Sequence, residues 1–503
     1  MRTTIRVLLS ILLTTTCVAV GNAAPAAGCP TVVDDHAFAD ESQLRRLNAT
    51  IAGFGLRTTG SPAHVRMVDW LERGVRRMPG ITTRSEVFRI QRWQPLGGDL
   101  ESAGGLTVSH QRIRVAGAIP YTRPAFGSDG ELVHLPSTEP ITATNARGKV
   151  VLRDFPAVDR GYTAEAVLDR DLTDAGLAGA AGLIVAFDFP RDQVRGYYDP
   201  HTGTHYRVPG VFVGVDEAQR LRQLAASGAR ASVTVLALND RATTRSVIAT
   251  LPGRSRERIV FDANTDGNTW VQENANAGLL ALADYFAHLP LRCRPRTLEF
   301  VFATGHLNRP TEGTEFHARE LDAQYDAGTV AFAFAVEHLG TREFVAVPRE
   351  NGPGRELKPS GLSETAGWFA GSPRLADTAR EVIARRGLDR VTVLPGIDPP
   401  NPNRVPPQCS FGGLGTHFHG HLIPTTAMIS GPWSLWAPSF GEDAIDFARM
   451  RRQVLAAGDT VLALAGVPRE EIAGPYLDYR RARATGTPTC PHDLPPEQAP
   501  RTR

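Results

Sequence analysis

Ile259-Val-Phe-Asp-Ala-Asn-Thr-Asp-Gly267 decides the fold. Its first three residues are a short apolar run, and the chain turns acidic and polar where that run stops. The pair Glu273-Asn274 then opens a helical pattern, Ala277-Gly-Leu-Leu-Ala-Leu-Ala-Asp-Tyr-Phe286. The theme repeats twice. Leu298-Glu-Phe-Val-Phe-Ala303 runs into Gly305-His306, and Val330-Ala-Phe-Ala-Phe-Ala-Val336 runs into Glu337-His338. Short apolar runs set between helical patterns predict an open α/β sheet. Such sheets carry their ligands at the carboxyl ends of the strands, and here each run ends in carboxylate, amide or imidazole groups.

Outward from this stretch, Val247-Ile-Ala-Thr-Leu-Pro-Gly253 leads into the first strand. Residues 42–51 and 65–75 have amphipathic helical spacing, the second behind a Ser61-Pro62 start signal, and residues 85–91 alternate as a strand. The texture changes between about 117 and 238. Short strand patterns at 147–153, 180–186 and 208–215 sit among many Gly and Pro, with one helix at 217–226. This predicts a small β-rich domain inserted into a larger one. The βα alternation then resumes, with a helix at 376–386, strands at 391–394 and 425–430, and a long helix at 442–465. The expected division is 36–115 and 246–470 for the main domain, 116–240 for the insert and 471–503 for a tail.

A chain of 503 residues with 42% hydrophobic and 21% charged residues can bury ordinary globular cores. Its net charge of +2 gives no bulk attraction to nucleic acid or anionic membranes. Residues 1–24 read as a signal peptide: Arg2 and Arg6 precede an apolar stretch, and Gly21-Asn-Ala-Ala24 suits cleavage. That stretch is too short and too threonine-rich for a membrane span, and lipid anchoring at Cys17 is the weaker reading. Secretion is expected. Cleavage leaves Cys29, Cys293, Cys409 and Cys490, enough for two disulfides in any of three pairings. Bridges that tie down each end of the chain are attractive.

The order of these parts resembles the secreted co-catalytic zinc exopeptidases of the bacterial aminopeptidase and glutamate-carboxypeptidase type. Arg57-Thr-Thr-Gly-Ser-Pro62 is similar to the family's entry segment, and Val208-Pro-Gly-Val-Phe-Val-Gly214 to its protease-associated insert. The resemblance implies a three-layer α/β fold, a mixed sheet with helices on both faces, plus that inserted β-rich domain. It also implies two zinc ions sharing a carboxylate and a water, with a glutamate as base. Carried onto this chain, the first His-x-Asp falls on Asn264-Thr265-Asp266 and the bridging Asp on Glu273. The paired glutamates fall on His306-Leu307, the later Asp on Glu337 and the last His near Trp436. Several ligands are therefore replaced.

Two readings follow. In the first, the chain hydrolyses peptide or amino-acid amide bonds through a remodelled site holding one zinc rather than two. Asp266, Glu273, His306, Glu337 and His338 are candidate ligands, with Glu273 and His306 also catalytic. Asn264 and Asn274 would supply hydrogen bonds behind them. His417, His419 and His421 lie at i, i+2, i+4, which in an extended segment places three imidazoles on one face. They could replace the missing ligands. Glu312 and Glu315 are expected to be solvated at the rim. In the second reading the chain is an inactive homologue that binds peptides or metal outside the cytoplasm. Gly-x-Ser-x-Gly, P-loop, dinucleotide and His-Glu-x-x-His motifs are absent from the sequence.

Overall fold

The computed structural model describes residues 28–157, 165–199, 205–308 and 313–491, with the backbone of 501–502. Residues 1–24, Cys17 and Glu312 lie outside these. The larger sheet has the strand order Val391–Leu394, Ala366–Ala370, Thr425–Ser430, Val330–Val336, Ser255–Asn264, Arg296–Ala303, Ala237–Leu251, Thr82–Pro95 and Arg501–Thr502. Its centre is parallel. Ser255–Asn264 lies between Arg296–Ala303 and Val330–Val336, and Val330–Val336 pairs onward with Thr425–Ser430. A long antiparallel ribbon of Thr82–Pro95 and Ala237–Leu251 extends one side.

Every residue of Val330–Val336 is buried, which explains an apolar run without alternation. Strand neighbours point to opposite faces, so the sheet separates two cores. Phe261, Phe300 and Phe334 pack with Leu44, Met67, Leu279 and Val454, from the helices Glu41–Gly53, Pro62–Arg76, Ala275–His288 and Phe447–Ala463. Val260, Val301 and Ala333 pack with Leu321, Phe418 and Tyr476. These come from the helices Gly313–Asp326, Gly415–Gly420 and Tyr476–Ala484. Helices therefore cover both faces, as the resemblance implied.

Local chemistry sets the ends of these helices. Ser61 Oγ accepts from the His64 amide at 3.2 Å, and Pro62 opens the helix behind it. Phe447–Ala463 begins later than its apolar pattern suggested, because a 3-10 segment at Pro438–Ala444 occupies the start. Asp446 caps the helix through the Arg449 amide at 3.0 Å.

A second, eight-stranded sheet is built from segments between Gly104 and Val235, flanked by the helices Glu165–Ala178 and Val215–Ala226. Two disulfides form, Cys29–Cys293 and Cys409–Cys490, so each end is bonded to the interior of the chain. Among the described residues no helix is long and apolar enough to cross a membrane.

Candidate functional site

The loops that follow Ser255–Asn264 and Arg296–Ala303 meet the entry segment before Pro62. Arg57 and Gly267 exchange backbone hydrogen bonds at 2.8 and 3.2 Å. The Arg57 guanidinium then reaches both oxygens of Glu273. Nη2 lies 2.6 Å from Oε2 and Nε lies 3.3 Å from Oε1, with both side chains fully buried. Gly267 makes this possible, since a Cβ there would come within 2.0 Å of Glu273 Oε1. Burial raises the Glu273 carboxyl above its ordinary pKa, and Arg57 opposes that rise.

Asp266 is held as closely. Its Oδ2 accepts from Thr59 Oγ1 at 2.5 Å and from the Leu307 amide at 3.0 Å. Leu307 thus holds Asp266 through its backbone amide. His306, half-buried, sits beside it, after Gly305 at φ +82°. Asn264 Nδ2 donates to the Asp266 carbonyl at 3.3 Å. Asn274 brackets Leu339, donating to its carbonyl at 2.6 Å and accepting from its amide at 2.8 Å. Both asparagines therefore tie loop backbone together.

Three groups that sequence reasoning left unassigned complete this cluster. The first is His64. Gly60 N–H donates to its Nδ1, so Nε2 carries the proton toward Thr265 Oγ1 at 2.8 Å. Burial lowers the His64 pKa to about 4 and keeps the ring neutral. The others are Tyr121 and Tyr198, from loops of the second sheet. Tyr121 Oη accepts from Asn308 Nδ2 at 3.1 Å, and its ring stacks on Trp93. The Tyr198 amide donates to the Trp436 carbonyl at 2.9 Å. Burial pushes both phenols up, and the charge of Asp266 adds to it. Asp266 and Glu273 are 0% exposed, Leu307 and Tyr121 1%, and Trp436 2%.

A second cluster forms on the Val260 side of the sheet. Glu337 leaves the end of Val330–Val336, and its Oε1 accepts from the Leu414 amide at 2.8 Å. His338 has φ +54° and its Nδ1 donates to the Ser430 carbonyl at 2.6 Å. The chain turns here, so strand alternation does not direct these two side chains. The expectation of an extended 417–421 segment is corrected: Gly415–Gly420 is a helix. On a helix, positions i and i+4 share a face and i+2 lies opposite. His417 and His421 accordingly meet one carboxylate, with His417 Nδ1 3.1 Å from Glu315 Oε2 and His421 Nε2 2.8 Å from Glu315 Oε1. His419 points elsewhere. It lies between Tyr476 Oη and the Gln408 carbonyl, each at 2.6 Å, stacks on Phe411, and is held by burial at a pKa of about 4. Glu315, expected at a solvated rim, is 2% exposed.

These residues do not fit a two-zinc centre. The resemblance carries two imidazole ligands onto Asn264 and Trp436 and a carboxylate ligand onto Leu307, and none of these three side chains is an imidazole or a carboxylate. The positive charge facing Glu273 is already supplied by Arg57. Among the described residues, two buried acceptors, Asn264 Oδ1 and Asp266 Oδ1, have no protein donor. Among the described residues, the side chains whose ligand atoms all approach within 4.8 Å are Glu86, His317 and Glu320. None of them was a sequence candidate. In that group both ring nitrogens of His317 are engaged, by Glu86 at 3.1 Å and Glu299 at 2.9 Å.

The fold has solved counterparts. No protein-family profile matches the chain, and no curated protein does. A peptidase precursor from Shewanella amazonensis superposes with a TM-score of 0.60 at 15% identity, over 92% of this chain and 96% of that one. A zinc aminopeptidase from Bacillus subtilis gives 0.60 at 15% identity, over 85% and 94%. An aminopeptidase from an Aneurinibacillus strain gives 0.55 at 16% identity, over 86% and 96%. Identities this low carry the architecture alone, so the parallel centre, the helices on both faces and the site loops at the strand ends belong to a co-catalytic zinc exopeptidase-like fold.

Proposed function

We propose that this chain is an exported, peptidase-like protein that binds peptides or amino-acid derivatives and does not hydrolyse them through a two-zinc centre. One observation carries the reading: Asp266 and Glu273 are fully buried and bonded to Arg57, Thr59 and the Leu307 amide. Hydrolysis at this position would need a metal-bound water and a substrate carbonyl beside those carboxylates. Buried Tyr121 and Tyr198 lie beside Asp266, and the Trp436 carbonyl is bonded to the Tyr198 amide. The segments between Gly104 and Val235 act in this reading as an inserted domain that roofs the site through its two tyrosines.

An open groove of about 630 Å³ is lined by Arg89, Ile90, Gln91, Arg241, Ala242 and Thr243. It adjoins the closed cluster, because the Gln91 carbonyl accepts from Asn308 Nδ2 at 3.2 Å. Arg89 pairs across the ribbon with Thr243, and Gln91 with Arg241, so the four share one face. Two guanidinium groups on that face suit a peptide carboxylate. The two disulfides accord with export.

A second reading rests on the unpartnered Asn264 Oδ1 and Asp266 Oδ1, which could face one bound cation. A single assay separates the two. Chromogenic aminoacyl and dipeptidyl amides are incubated with the oxidised chain and added Zn²⁺. Background rates equal to those of Glu273→Ala support the first reading, whereas turnover that Glu273→Ala abolishes supports the second.

A further inference from the structure

We propose that the ribbon groove selects ligands by a free carboxylate, held between Arg89 and Arg241; the inference rests on the peptide-binding reading and names its ligand class. The two strands of the ribbon, Thr82–Pro95 and Ala237–Leu251, carry Arg84, Arg89, Arg92, Arg241 and Arg245. Three of these meet carboxylates. Arg84 reaches Glu86 at 2.7 Å and Glu320 at 3.1 Å. Arg92 reaches Asp240 at 2.7 Å, and Arg245 reaches Asp69 at 2.8 Å and Glu72 at 2.7 Å. Arg89 and Arg241 have no ion-pair or hydrogen-bond partner among the described residues, and both are exposed.

Register puts these two charges together. Arg89 faces Thr243 and Arg241 faces Gln91, so the arginines are diagonal neighbours on one face, at positions roughly 7–8 Å apart. The next pairs on that face are Val87 with Arg245 and Trp93 with Asn239, so the ribbon offers them no carboxylate there. Two like charges this close raise each other's energy. A carboxylate bound between them relieves both, and its two oxygens match the guanidinium forks. A neutral ligand gains neither effect. The Thr243 hydroxyl, exposed on the same face, adds a further donor. The backbone that carries these groups is fixed. Ile90 is 5% exposed and packs with Phe88 and Phe316 on the opposite face, and Arg92 Nη1 donates to the Gly60 carbonyl at 3.2 Å.

Calorimetric titration of the oxidised full chain, without added metal, tests this with three probes: acetyl-tetraalanine as the free acid, the same peptide as its C-terminal amide, and an amide carrying one internal Asp. The free acid should bind about tenfold or more tighter than the plain amide. Arg89→Gln and Arg241→Gln should each weaken the free acid by about tenfold, and Arg89→Lys by less, because it keeps the charge without the fork. Arg112→Gln, at an exposed arginine of the strand Gln111–Ile113, should leave binding unchanged. Raising salt from about 0.05 to about 0.5 M should weaken the free acid and spare the plain amide. Binding of the Asp probe shows that any carboxylate serves; its failure beside a bound free acid assigns the C-terminal one. Both arginines are exposed, so unfolding midpoints equal to wild type are expected for the variants. The proposal is overturned if free acid and plain amide bind alike, or if binding of the free acid survives the Arg89→Gln, Arg241→Gln double variant; the peptide-binding reading stands in both cases. Binding of none of the probes overturns the two together.

Discussion

Arg57 and Glu273 form the buried pair on which the proposed function rests. A fully buried carboxylate is stable as an ion only with a partner, and here one guanidinium serves both oxygens. Arg57→Met should lower unfolding stability by about 3–5 kcal/mol, because it strands the charge on Glu273. Adding Glu273→Leu should restore most of that loss, since a buried pair replaced by apolar groups is often neutral. Urea denaturation of the two variants checks both statements. A single variant as stable as wild type would mean that Glu273 has another source of charge compensation. Much of this cluster was legible in the chain. Asp266, Glu273, Asn264 and Asn274 follow directly from polar residues at the ends of apolar runs. Tyr121 and Tyr198 were not legible, because they reach the cluster from a separate sheet and local patterning carries no record of that approach.

At the scale of elements, the helix Gly313–Asp326 organises the Val260 face of the sheet and was missed. Asn308-Arg-Pro-Thr-Glu-Gly313 precedes it and reads as loop, so Glu315 was expected at a solvated rim. The extended reading of the histidine triplet fails for a related reason: its helix has six residues, too few to write a helical period in the sequence. Apolar strands such as Val330–Val336 were read to the residue, because full burial writes itself as an unbroken run. Only the end of Ala237–Leu251 was read, because its first half is polar and largely exposed. The same helix carries a pH-dependent contact. Burial alone would lower the pKa of His317, but its bonds to Glu299 and Glu86 outweigh burial and raise it from 6.5 to about 10. The bond to His317 takes Glu299 from 4.5 to about 2 against its own burial. Arg84 contacts Glu86 and Glu320, and Arg258 contacts Glu299, on the same face. The histidine contribution is complete below pH 6.5 and is lost as pH rises through about 10. The glutamate contribution is complete above 4.5 and is lost as pH falls toward 2. His317→Gln should therefore lower the thermal unfolding midpoint most near about pH 5.5, with a smaller deficit near about pH 10. A deficit independent of pH would contradict this assignment.

For the whole molecule, a zinc-exopeptidase-like fold surrounds a cluster whose carboxylates are bonded to protein groups. The architecture was legible because it rests on buried strands. The disulfide pairing was not, because it depends on which loops meet; Cys29 joins Cys293, and Cys490 joins Cys409. The second sheet connects to the site through Tyr121, Tyr198 and a bond from Asn268 Nδ2 to the Gly196 carbonyl at 2.8 Å. The proposed closure of the site thus draws on both sheets. Anomalous diffraction at the zinc edge, from crystals of the oxidised chain soaked in Zn²⁺, tests this account most directly. It predicts no zinc peak beside Asp266 and Glu273, with the Arg57–Glu273 pair intact. A zinc peak between those two carboxylates, with Arg57 displaced, would contradict it.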